Sequence, residues 1–126
     1  MSPAIKTNPN ILVIDPDKDF CKNVRLYLED SYNVFSRQGL EYIDYTILLK
    51  QVQVLLIDAD YINENLYEII SNIHSKHPAL KIVIMYTYFS SNKKEEKTIA
   101  EEADDLLAKP FDVKVLKEKV DYLLKS

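Results

Sequence analysis

Three short apolar runs recur along the chain without polar alternation: Ile11-Leu12-Val13-Ile14, Val54-Leu55-Leu56-Ile57 and Ile82-Val83-Ile84-Met85. Such runs predict strands covered on both faces, as at the centre of a parallel sheet. Between them the apolar spacing becomes helical. From Asp17, a plausible cap, Phe20, Val24, Tyr27 and Leu28 fall at i, i+4, i+7 and i+8, the stripe of an amphipathic helix. Tyr32 to Ser36 predicts a short mixed strand, and Gly39 stands before a helix with Leu40, Ile43 and Ile47 on one side. Leu66, Ile69, Ile70 and Ile73 make a third stripe, closed by His77-Pro78. Lys81 to Thr87 is the next strand. Ser90 to Glu102 is helix-competent but offers little beyond Ile99 and Ala100 to bury, which predicts a loosely anchored helix. Leu106-Leu107-Ala108 then reads as a strand, Lys109-Pro110-Phe111 as a turn, and Asp112 as the cap of a last helix using Val113, Leu116, Val120 and Leu123.

Strand and helix alternate throughout with short connections, the signature of an α/β fold with a doubly wound five-stranded parallel sheet and helices on both faces. Residues 1–9, with Pro3 and Pro9, read as a loose lead-in and residues 10–126 as one domain. Lys plus Arg number 16 against 20 Asp plus Glu, and the resulting net charge of −4 gives no general attraction to nucleic acid or to an anionic membrane. Cys21 is the only cysteine, so an internal disulfide is excluded and a packing role is expected. No apolar run is long enough for a membrane span, which sets a cytoplasmic expectation. With a single glycine, neither a G-x-G-x-x-G nor a Walker phosphate loop can be written.

Candidate chemistry gathers where strands end. Asp15, Asp58, Asp60, Thr87 and Lys109 all fall on the carboxyl edge of the predicted sheet, the edge where open α/β sheets bind ligands. Two carboxylates brought together raise one another's pKa unless a cation sits between them, and a hard divalent metal is the natural guest. Asp58 can act as a nucleophile toward phosphorus, Lys109 offers a point charge to a phosphoryl oxygen, and Thr87 offers a hydroxyl donor. His74 and His77 lack companions in a ligand pattern and read as helix-end histidines, while the mixed run Lys93 to Lys97 reads as a solvated face.

Over Asn10 to Leu124 the sequence resembles the receiver domain of two-component response regulators. The likeness is carried by Ile11 to Asp15, Val54 to Asp58, Ile82 to Thr87 and Ala103 to Phe111, in order and spacing. The resemblance implies a flavodoxin-like strand order 2-1-3-4-5 and phosphorylation of Asp58. It implies Mg²⁺ held near Asp15, Asp58 and Asp60 (the last through its backbone carbonyl), Thr87 and Lys109 as the pair that senses phosphate, and a cis bond before Pro110. It also implies a sensor histidine kinase or phosphotransfer protein as donor, and a downstream protein partner at the fourth helix, fifth strand and fifth helix. The domain is then a phosphoacceptor and not an enzyme acting on other molecules; a homodimer is left open.

The sequence departs from the family at several points. The family has two adjacent acids after the first strand, whereas Pro16 follows Asp15, so a weaker Mg²⁺ site is expected. Ile62 and Leu66 replace the proline and glycine that follow the phosphoacceptor, Tyr88 stands after the switch threonine, and Leu106 replaces an aromatic. Tyr88 and Phe89 are expected to shield an acyl phosphate from water or to form a partner surface. Two further readings follow: a pseudo-receiver that binds partners without taking phosphate, and a metal-dependent phosphohydrolase using Asp60 as acid or base.

Overall fold

The computed structural model describes residues 7–60, 65–87, 99 and 101–125. Five parallel strands, β1 (Asn10–Ile14), β2 (Asn33–Arg37), β3 (Val54–Asp58), β4 (Lys81–Tyr86) and β5 (Asp105–Ala108), form one sheet in the order β2-β1-β3-β4-β5. Four helices accompany them among the described residues: α1 (Lys18–Leu28), α2 (Ile43–Leu49), α3 (Leu66–Lys76) and α4 (Val113–Lys125). Of the helix expected over Ser90 to Glu102, Ile99, Glu101 and Glu102 are helical and the remainder lies outside the described residues, as do Ile62, Tyr88 and Phe89.

The apolar runs are strands because both of their faces are covered. Ile11, Val13, Val54, Leu56, Val83 and Met85 pack on one side against Cys21, Val24 and Leu28 of α1 and Leu116, Val120 and Leu123 of α4. Their neighbours Leu12, Ile14, Leu55, Ile57, Ile82 and Ile84 pack on the other side against Ile47, Leu66, Ile70, Ile73 and Ile99. Each fully buried Leu or Ile stabilises the fold by about 2 kcal/mol relative to exposure. The register fixes the site: Ile14 lies opposite Ile57, so Asp15 and Asp58, each the next residue, leave neighbouring strands at the same level.

Three details differ from the pattern reading. The buried stripe of α1 is Cys21, Val24 and Leu28, and Tyr27 is 42% exposed. Because Cys21 lies one position past Phe20, the buried face is rotated, leaving Phe20 at the edge of the core beside the sheet end. Helix α2 begins only at Ile43, since Tyr42 takes a left-handed conformation (φ 57°) that a helix cannot propagate, and Leu40 packs as a loop residue. Strand β4 stops at Tyr86, leaving Thr87 past its end.

The end of the lead-in is fastened to β2: Asn33 donates its backbone N–H to the Pro9 carbonyl (2.9 Å) and its side-chain amide to the Asn8 carbonyl (3.1 Å). His74 and His77 both face carboxylates. Nε2 of His74 is 3.1 Å from Asp104 and its Nδ1 3.5 Å from Glu102, whereas Nε2 of His77 is 2.9 Å from Asp44. No helix among the described residues is long and apolar enough to cross a membrane.

Candidate functional site

Asp15 is delivered by β1 into almost complete burial, 1% exposed. Its backbone N–H is held by the Arg37 carbonyl of β2 (3.1 Å), and its Oδ1 accepts from the Asp17 N–H (2.9 Å). That turn directs Oδ2 toward Lys109, whose Nζ donates at 2.6 Å. Asp17 does not join the site: its Oδ1 accepts from the N–H groups of Asp19 and Phe20 and caps α1. Nor does Pro16 offer a ligand, having an apolar side chain.

Asp58, the last residue of β3, is 6% exposed. Its Oδ1 accepts from the Asp60 N–H at 3.2 Å and lies 3.6 Å from Lys109 Nζ. Burial strips water from this carboxylate and holds its pKa above the ordinary value; the Lys109 ammonium opposes that rise and the Asp15 charge adds to it. Asp58 is thus a charged group held at some cost in free energy.

Lys109 follows β5, anchored by its N–H on the Tyr86 carbonyl (2.7 Å) and followed by the expected cis peptide bond to Pro110. Its ammonium also lies over the Phe20 ring, 4.4 Å from the centroid. The Phe111 ring meets that of Phe20 edge-on, with centroids 5.8 Å apart and planes at 87°. Sequence reasoning placed neither phenylalanine at the site. Their signal was their position: Phe20 closes the capped first turn begun by Asp17, and Phe111 lies two residues past Lys109.

The five predicted residues divide into two linked groups. Asp15, Asp58 and Lys109 converge. Asp60 and Thr87 form a neighbouring pair, the exposed Asp60 accepting the Thr87 N–H through Oδ2 at 2.6 Å while its own N–H reaches Asp58. The three carboxylates therefore do not form one cage, and among the described residues no group of three His, Cys, Asp or Glu side chains could hold a metal ion. Cys21 donates its thiol to the Asp15 carbonyl at 3.6 Å. Burial, with the Asp15 and Asp17 charges, pushes its pKa up to about 11, so it stays a thiol and packs.

The sequence matches the family described as the response regulator receiver domain over residues 11–121. No curated protein matches the chain. Among solved structures, a response regulator from Thermotoga maritima is similar with a TM-score of 0.80 at 24% identity, covering 95% of this chain and 100% of that one. An orphan response regulator of H. pylori is similar with a TM-score of 0.79 at 20% identity, covering 92% and 96%. A BeF3-activated DrrB receiver domain gives 0.75 at 23% identity, covering 95% and 100%. These likenesses agree with the strand order and the two-sided packing, and with the family match over most of its length the chain belongs to the response regulator receiver domains.

Proposed function

We propose that this receiver domain accepts a phosphoryl group on Asp58 from a sensor histidine kinase or a phosphotransfer protein, and signals the change to a protein partner. The observation that carries this reading is a buried carboxylate at the sheet's open edge, its pKa raised by burial, within 3.6 Å of an ammonium that also neutralises Asp15. In the transfer an Asp58 carboxylate oxygen attacks phosphorus. The new O–P bond forms as the donor's N–P bond breaks, and that bonding pair leaves on the donor nitrogen. Lys109 offers its charge to a phosphoryl oxygen, and the Asp60 N–H keeps the attacking carboxylate in line.

The donor set suits a hard divalent cation: two buried carboxylates present oxygen atoms, and one ammonium leaves a negative charge uncompensated. Asp15 and Asp58 would hold Mg²⁺, with the Asp60 backbone carbonyl as a third oxygen. Bound there, the metal would offset charge on the phosphoryl oxygens. Signalling would run from Asp58 through Asp60 and Thr87, the bonded chain at the ends of β3 and β4, toward the segment preceding β5, and toward β5 and α4. On this reading the domain works in the cytoplasm and turns over no molecule other than its own phosphodonor.

The test is incubation with Mg²⁺ and acetyl phosphate followed by intact mass. One phosphoryl adduct, absent from Asp58→Asn, is expected. No adduct on the wild type would establish a second reading, an interaction module that does not take phosphate. That reading draws on Asp17, whose carboxylate is committed to the α1 cap and leaves the site short of an acid. A phosphohydrolase reading gains nothing from Asp60, whose carboxylate is bonded to the Thr87 N–H.

A further inference from the structure

The Lys109 ammonium has three neighbours of different kinds. Asp15 Oδ2 is closest at 2.6 Å, Asp58 Oδ1 stands at 3.6 Å, and the Phe20 ring face lies 4.4 Å from Nζ. The ring is fixed rather than incidental. Asp17 caps α1 and accepts the Phe20 N–H, and helical side chains lean toward the N-terminus, so the ring covers the turn that carries Asp15. Phe111 braces it edge-on from the turn after Lys109. An aromatic face attracts an ammonium. A strongly hydrated divalent cation that takes oxygen ligands draws little from the same face.

We propose that Phe20 is a positioning residue that holds the Lys109 ammonium against Asp15, so that a divalent cation entering the site competes with this lysine for the Asp15 carboxylate. The inference rests on the phosphoacceptor reading for its consequence, and on the ring, ammonium and carboxylate geometry for its substance. Asp15 is 1% exposed and the Lys109 side chain 19%, so the lysine forms part of the cover over the carboxylate that the cation needs. With Pro16 in place of a second acid, the outcome of that competition is set by few groups, and the ring favours the lysine. The same contact pre-places the ammonium for an incoming phosphoryl oxygen. One ring therefore weakens metal binding and speeds transfer once metal is bound.

Those opposite signs make the test. Mg²⁺ affinity is measured by titration calorimetry, and the rate of phosphoryl uptake from acetyl phosphate at saturating Mg²⁺ by intact mass, for wild type, Phe20→Leu and Phe20→Tyr. Phe20→Leu keeps an apolar side chain and removes the ring face. It is expected to bind Mg²⁺ about fivefold more tightly and to take up phosphate severalfold more slowly, while Phe20→Tyr restores both values. Mg²⁺ binding detectable in Phe20→Leu but not in the wild type has the same meaning as tighter binding. Affinity that is unchanged, weaker, or undetectable in both overturns the proposal, as does equal behaviour of the leucine and tyrosine variants. A generally loosened fold would weaken binding and slow uptake together. Phe20→Met takes the leucine variant's place if that protein does not fold. A wild type that binds Mg²⁺ but takes up no phosphoryl group overturns the phosphoacceptor reading, and the calorimetry still decides the role of Phe20.

Discussion

Two clusters in this molecule each set aspartate against lysine and behave oppositely. At the carboxyl edge of the sheet, Asp15 and Asp58 share the ammonium of Lys109; at the far end of α3, Asp44 receives both Lys76 (3.2 Å) and His77 (2.9 Å). The Asp58 pKa is raised, chiefly by burial, with the lysine only partly offsetting it. The Asp44 pKa is lowered, chiefly by the His77 hydrogen bond, with Lys76 adding and desolvation opposing. Exposure separates them: Asp58 is 6% exposed, whereas the Asp44 side chain is 40% exposed. Where water is excluded, the desolvation of Asp58 outweighs the neighbouring cation; where water remains, hydrogen bonds decide. The first cluster is a charged site maintained against its own cost, and the second is a clasp between α2 and α3.

The largest expected effect breaks the first cluster at its centre. Asp58→Asn removes the attacking carboxylate and should abolish the phosphoryl adduct altogether in intact mass. It should also raise the melting temperature at neutral pH. A carboxyl whose folded-state pKa is raised favours folding most below its unfolded value of about 3.8, and that contribution is lost as pH rises through the folded value. At neutral pH the wild type bears this cost and the amide does not, so the gap between the two melting curves should close as pH falls toward 4. A gap that persists unchanged to pH 3 would show that repacking, not charge, stabilises the variant.

Removing the cation instead leaves two buried carboxylates facing one another. Lys109→Gln should lose about 3 kcal/mol in denaturant unfolding at neutral pH, and part of that loss should return in acid. The parallel change in the second cluster, Lys76→Gln, removes a side chain that is 62% exposed and should cost under about 0.5 kcal/mol. Equal losses would erase the distinction between the clusters.

Restoring an acid sharpens the comparison from the other side. Pro16→Asp adds a hard oxygen ligand beside Asp15 and should tighten Mg²⁺ binding about tenfold in calorimetry. Unchanged affinity would mean that another group already supplies the ligand; Asp17 would then have to leave the α1 cap, which should appear as a less stable metal-bound helix.

The sequence made the scaffold of the first cluster readable and left the second dark. Runs such as Val54 to Ile57 carry their own explanation, because only a strand covered on both faces has use for unbroken apolar residues. Asp15, Asp58 and Lys109 could be assigned to one edge because strand ends are fixed by where those runs stop. Asp17 was legible as a cap for a local reason, its spacing to the N–H groups of Asp19 and Phe20. The Phe20 contact was not, since a ring at helical spacing reads as core until the rotation of α1 is known, and that rotation appears only once Cys21 is buried and Tyr27 is exposed. Asp44, His74 and His77 found their carboxylate and imidazole partners across distances in sequence that no local pattern encodes. The separation of Asp60 from the other two acids was equally hidden, because its carboxylate turns to the backbone N–H of Thr87, on another strand's end.

The smallest expected effect tests whether the second cluster is the mere clasp that its exposure implies. Asp44→Asn keeps the size of the side chain and removes the charge that His77 and Lys76 share. The folded-state pKa of Asp44 is lowered, so its contribution is present above the ordinary carboxylate value and is lost as pH falls through the lower folded value. The wild type should therefore exceed the variant by about 0.5 kcal/mol at neutral pH, the discount reflecting a side chain open to water. The difference should shrink below about pH 4, beneath the window in which the Asp58→Asn gap closes, and with the opposite sign, since for Asp58 the variant is the more stable protein. High salt adds an independent check. Screening acts on exposed pairs within about a Debye length of solvent and spares buried ones, so molar NaCl should erase most of the Asp44 effect and little of the Lys109 effect. If salt erased neither, the His77 contact, whose imidazole is only 9% exposed, would be governing Asp44 from the buried side. The two clusters would then differ in sign alone and not in their access to water.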